Sequence, residues 1–134
     1  MTTAFPAVSA TVAALIGLLA VFLTLRVIAL RVRFKVDAGD GGHAALAQAV
    51  RAHANLLELA PLALLLLAFA EWSIAWRGVI VALGILLLVA RLASAWGLSQ
   101  SLELGSARKA GAGLTALVIV ACSALVLYRM ILML

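Results

Sequence analysis

Four long apolar runs separated by three short polar breaks set the pattern of this chain. The first extends from Ala7 to Leu30, interrupted only by Ser9, Thr11, Gly17, Thr24 and Arg26. At about 1.5 Å per residue, a helix of that length crosses the hydrocarbon core of a bilayer. Arg31, Arg33 and Lys35 then mark an interface, and the stretch from Asp37 to Gly42 reads as a polar turn whose glycines accept positive φ. A second helix follows from about His43 to Ala70, with Asp40 or Gly42 as its cap. Pro61 within it predicts a kink rather than an end, because the apolar run outlasts the proline. Glu71, Trp72, Trp76 and Arg77 form an interfacial belt around a short turn between Glu71 and Gly78. Val79 to about Trp96 makes a third span, with Arg91 near its far end placed to snorkel or to reach inward, and Gly97 to Gly105 ends it. After Arg108 and Lys109, Ala110 to Leu134 makes a fourth span with Arg129 as its one charge. The pattern predicts an all-α integral membrane protein, a four-transmembrane-helix up-down bundle forming one domain over 1–134, with helices over about 5–35, 43–70, 77–97 and 108–133.

Composition supports the same class. Of 134 residues, 67% are hydrophobic and 11% charged, whereas a soluble domain carries about 25% charged residues. The net charge of +5 is scattered, without the basic tract and interleaved aromatics of a nucleic-acid surface, so no nucleic-acid partner is expected. Cys122 is the one cysteine and sits in an apolar run, which excludes a disulfide within the chain and metal-ligand spacing and predicts a buried, inert thiol. Met1 to Pro6 carries no charged side chain and the following run is long, so a retained first helix is expected rather than a cleaved signal peptide. The loops over 36–43 and 98–108 are flanked by Arg31, Arg33, Lys35, Arg108 and Lys109, and the excess of positive charge places both in the cytoplasm and both termini outside.

The exception to this apolar scaffold lies in the first half of the second helix. At about 100° per residue, Arg51, Asn55 and Glu58 fall within roughly 60° of one another and form one polar stripe. An ionisable group at membrane depth costs about 2.5 to 3.5 kcal/mol on insertion scales, so such groups face an interior or a watery cleft. With Arg31 at the end of the first helix, the stripe suits a small zwitterionic anion. Guanidinium forks clamp carboxylates, Glu58 takes an ammonium and Asn55 satisfies a peptide group. Arg51 and Glu58 can equally be partners that neutralise each other across a helix interface. His53 points roughly 160 to 200° away from the stripe, either as a packed residue or toward a neighbouring subunit's site. Gly84, Gly97, Gly111 and Gly113 read as positions of close helix approach.

The pattern Arg-x-x-x-Asn-x-x-Glu-x-x-Pro over Arg51, Asn55, Glu58 and Pro61 resembles the signature of the MAPEG family, the membrane-associated proteins of eicosanoid and glutathione metabolism. Arg26 to Val36 resembles the end of that family's first helix, Ala90, Arg91, Leu92 and Gly97 its third, and Asp40-Gly41-Gly42 its uncharacterised bacterial branch. The resemblance implies a homotrimer in the bacterial inner membrane. It further implies glutathione as co-substrate bound between subunits near the cytoplasmic side, and a lipophilic electrophile or hydroperoxide arriving from the membrane lipids. Arg31 and His53 would come from one subunit and Arg51, Asn55 and Glu58 from the next. The chain departs from the family at Leu59, Ser94 and Leu98, where aromatic hydroxyls are expected, and at Val32 and Gly105, where arginines are expected. Arg108, one turn beyond Gly105, is the substitute candidate for holding the thiol as its thiolate.

Three functional readings follow: a glutathione transferase or peroxidase, a non-catalytic trimeric relative that keeps the stripe for assembly or to bind a lipid or other anion, and a small four-helix drug exporter. The exporter would require a carboxylate in the first helix, and Ala7 to Leu30 contains none. The topology is directly testable: a cysteine placed at Ala38 should be protected from a membrane-impermeant maleimide in intact cells, while one at Leu134 should be labelled.

Overall fold

The computed structural model describes residues 5–73, 76–103 and 105–134, and Ile74 and Ala75 of the expected second turn lie outside them. Among the described residues the chain forms α1 (Ala7–Phe34), α2 (Ala44–Ser73), α3 (Arg77–Gln100) and α4 (Ser106–Ile131), with no strand. Each helix is long and apolar enough to cross a membrane, and the short connections make chain neighbours antiparallel. The protein is an integral membrane four-helix bundle. α2 packs on all three other helices and α3 on both α1 and α4, while α1 and α4 do not touch. The core therefore runs along the α2–α3 seam.

Small side chains set that seam. On α2, Ala49, Ala52, Ala60, Ala63 and Ala70 are buried at three- and four-residue spacing, with Leu46, Leu56 and Leu67 between them. Without a hydrophobic driving force between helices in lipid, such a face gains contact by letting backbones approach closely. The expected glycine approaches are found at three positions of four. A Cβ on Gly84 would meet Val12 Cγ2 at 3.0 Å, one on Gly97 would meet the Arg108 backbone nitrogen at 3.0 Å, and one on Gly111 would run into Ser94; Gly113 faces open space. Gly97 does not end α3, which continues to Gln100 because the glycine is used for packing against the start of α4.

The helix ends are closed by specific contacts. α1 starts after Pro6 without a cap of its own. Glu71 of α2 supplies one, accepting from the backbone N–H of Val8 at 2.9 Å and of Ser9 at 2.7 Å, and from Ser9 Oγ at 2.6 Å. A carboxylate there satisfies two orphan donors and complements the positive end of the helix dipole. At the other end Lys35 adopts the left-handed region at φ 55°, and Val36 N–H returns to the Arg31 carbonyl at 3.0 Å. In the following loop Asp40 Oδ1 accepts from Gly42 N–H at 2.9 Å, and the His43 and Phe34 rings stack 4.1 Å apart, joining the end of α1 to the start of α2. α2 runs unbroken through Pro61.

Gly111→Ala should destabilise the protein by about 1 to 3 kcal/mol through overpacking, since the new Cβ would lie 2.7 Å from the Ala90 carbonyl oxygen. Gly113→Ala, into open space, should instead stabilise it by about 0.5 to 1 kcal/mol through helix propensity. Unfolding curves in detergent measure both.

Candidate functional site

α2 carries the stripe on its outward side, opposite the buried alanine face. Arg51 Nη1 and Glu58 Oε1 lie 3.0 Å apart, and the two side chains are 45% and 50% exposed in the single chain. Two turns separate them, about 10.5 Å of helix, so both side chains bend along the helix to meet. A half-exposed ion pair contributes little to stability in water, about 0 to 1 kcal/mol. Its position on a transmembrane face makes it a candidate for binding or assembly.

Asn55, between them in sequence, turns toward the bundle. Its carbonyl oxygen and Oδ1 lie 3.4 and 3.5 Å from Arg91 Nη1, and Arg91, at 1% exposure, is the largest fully buried side chain. The Arg91 guanidinium also donates from Nη2 to Ser94 Oγ and the Gly111 carbonyl, each at 3.3 Å, and to Thr115 Oγ1. Thr115 in turn donates to the Gly111 carbonyl at 2.8 Å. One guanidinium thus joins α2, α3 and α4 through neutral oxygens, with its Nε lacking a partner among the described residues. Of the two placements open to Arg91, snorkelling or reaching inward, the structure has the inward one. It shares the buried face of α3 with Leu87, Ala90, Ser94 and Leu98, and that spacing was the available signal. Ser94 is therefore an acceptor for Arg91 as well as a departure from the family pattern.

The remaining candidates are dispersed within the chain. His53 points to α1, its Nε2 3.0 Å from Thr24 Oγ1. Because the Thr24 hydroxyl donates to the Ala20 carbonyl at 2.9 Å, its oxygen accepts from His53, placing the imidazole proton on Nε2. Arg31 Nη1 donates to the Asp37 carbonyl at 2.7 Å, in the loop that follows it. Arg108, in the first turn of α4, donates from Nη1 to the Leu102 carbonyl at 2.8 Å. The structure thus brings Arg51 and Glu58 together, draws Asn55 toward Arg91, and holds Arg31, His53 and Arg108 on separate local partners. The sequence pattern alone gives Glu71 as an interfacial charge and Arg26 as a break in an apolar run. Glu71 caps α1, and Arg26 Nη1 donates to Ser99 Oγ across to α3. Cys122 is buried among apolar residues, as its surroundings in the sequence predicted, and no cluster of metal-ligating side chains occurs among the described residues.

Thr115→Val removes the hydroxyl that accepts from Arg91 and donates to the Gly111 carbonyl, while keeping the shape. It should cost about 1 to 3 kcal/mol, the penalty of an under-satisfied buried donor, and thermal unfolding in detergent would register it.

The model of the MAPEG family matches residues 9–128. The inner membrane protein YecN of Escherichia coli K12 is 37% identical over 95 residues, covering 71% of this chain and 72% of its own length. YecN of E. coli O6:H1 strain CFT073 matches to the same extent.

Proposed function

Because the chain belongs to the MAPEG family of membrane proteins, we propose that it binds glutathione at the α2 stripe and transfers the thiol to lipophilic electrophiles or uses it to reduce hydroperoxides. The observation that carries this reading is the Arg51–Glu58 pair, open on the outward face of α2. A zwitterionic peptide can insert between the two, its carboxylate taken by Arg51 and its ammonium by Glu58, so that each charge exchanges one partner for another without being left alone at membrane depth. Asn55, turned inward with its Oδ1 held by Arg91, would have only its side-chain NH2 left to offer a peptide carbonyl. A second subunit of a homotrimer would cover the stripe and bring Arg31 and His53 to it.

The chemistry would need the thiol as thiolate: its proton leaves to solvent, and the sulfur bonds the electrophilic carbon as that carbon's leaving group departs, chloride in the case of chlorodinitrobenzene. With a hydroperoxide the O–O bond would break, and a second glutathione would complete the disulfide as water and alcohol are released. A cation raises the thiolate fraction. Arg108 takes this role by releasing the Leu102 carbonyl, a neutral acceptor on a loop. The resting Arg51–Glu58 bond favours a second reading, in which the pair serves subunit assembly alone. The lipophilic substrate reaches the site through the bilayer, and the inner membrane, named for YecN, is the proposed location, with the α1–α2 and α3–α4 loops in the cytoplasm.

Isothermal titration in detergent should detect glutathione binding that weakens about tenfold or more in Arg51→Ala, the scale for truncating one member of a close charge pair. Conjugation of chlorodinitrobenzene should fall with it. If glutathione gives no heat at millimolar concentration and Glu58→Gln converts trimers to monomers by native mass spectrometry, assembly is the role of the pair.

A further inference from the structure

α1 and α3 touch only lightly, and between them lies a groove of about 330 Å³ on the side of the bundle away from the α2 stripe. Leu19, Phe22 and Leu92 line its length, and Arg26, Trp96 and Ser99 close one end. Arg26 is half-buried, and among the described residues its one hydrogen bond goes to the neutral Ser99 hydroxyl and no acidic residue lines the groove. The depth of that end is fixed by its neighbours. Ser99 is one residue from the end of α3 at Gln100, where the chain leaves its helix. A non-helical backbone facing lipid must lie outside the hydrocarbon, so Arg26 sits at headgroup level. α1 continues past it for eight residues to Phe34, about 12 Å further, carrying Arg31 and Arg33 toward the water. Trp96 is 63% exposed on the groove's edge, as an interfacial tryptophan is.

A cation without an anionic partner among the described residues therefore stands at the headgroup end of an apolar furrow that runs toward the bilayer centre. From this juxtaposition we propose that the α1–α3 groove is a binding site for an acidic phospholipid of the leaflet facing the α1–α2 loop. The phosphate pairs with the Arg26 guanidinium beside Ser99, and one acyl chain lies along Phe22, Leu19 and Leu92. Charge complementarity chooses this occupant over a zwitterionic lipid, whose own ammonium would compete with Arg26, and the apolar length chooses a lipid over a free anion. The site is independent of the stripe on α2 and of glutathione.

Native mass spectrometry and thermal shift of the purified protein, titrated with phosphatidylglycerol, phosphatidylcholine of the same chains or inorganic phosphate, test the proposal. Phosphatidylglycerol should add as discrete adducts and raise the melting temperature more than phosphatidylcholine, and inorganic phosphate should do neither. Arg26→Gln should weaken phosphatidylglycerol binding roughly fivefold, the scale for one interfacial cation. Lys109→Gln, an equal loss of charge outside the groove, should leave binding unchanged. Leu92→Trp, which fills the furrow and spares Arg26, should abolish the adduct, and it decides the matter should Arg26→Gln fail to fold. Equal binding of the two lipids, equal losses in Arg26→Gln and Lys109→Gln, unchanged binding in Leu92→Trp, or a full shift from inorganic phosphate alone would each overturn the assignment.

Discussion

A single guanidinium, buried where three helices meet, is the constraint on which this bundle depends. Arg91 has no carboxylate among its partners; it is held by the oxygens of Asn55, Ser94, Gly111 and Thr115. Every one of those oxygens must stay in place, because a cation left unsatisfied inside a membrane bundle is far more costly than a lost neutral bond. The close approach of α4 at Gly111 is part of the same arrangement. The absence of a side chain there lets the Gly111 carbonyl come within reach of Nη2, and the Ser94 hydroxyl occupies the space a Cβ would need.

From that junction the functional face is positioned. Asn55 has its inward side tied to Arg91, so the turn of α2 that carries Arg51 and Glu58 is fixed in rotation, with the ion pair on the outward surface. α1 is attached differently, by polar contacts spread along its length: Glu71 at its first turn, Thr24 with His53 midway, and Arg26 with Ser99 toward its far end. Such contacts hold a helix that buries little of its own surface, and they leave the groove alongside α3 open. The two faces of the bundle thus differ in chemistry, with a balanced ion pair on one and a lone cation above an apolar furrow on the other.

The four helices were legible because apolar runs of this length in so few charges allow one class of solution. That Arg51 and Glu58 share one face was legible from spacing alone, and the family pattern names the same two residues together with Asn55. What spacing could not supply was the second partner of each polar group. Asn55 shares a helical wheel sector with Arg51 and Glu58, yet it lies at the edge of that sector nearest the bundle, and the pull of Arg91 from α3 turns it inward. Arg91 itself was open to two placements until Ser94 and Thr115 were seen to converge on it, since contacts between helices are not local in sequence. Glu71 looked interfacial because charge at the end of a span usually is. Its use as a cap arises from the bare first turn of α1, sixty-odd positions earlier.

The Arg91 arrangement also bears on how the chain enters the bilayer. α3 alone would present an unsatisfied guanidinium to lipid, and two of its acceptors, Gly111 and Thr115, lie in α4, which emerges later from the ribosome. The third span is thus better inserted together with the fourth, as a hairpin whose halves neutralise each other's polarity, than as an independent segment. Biogenesis of this small protein would then proceed by pairs of helices, and a truncation after α3 would remove the partner that makes its predecessor tolerable to the membrane.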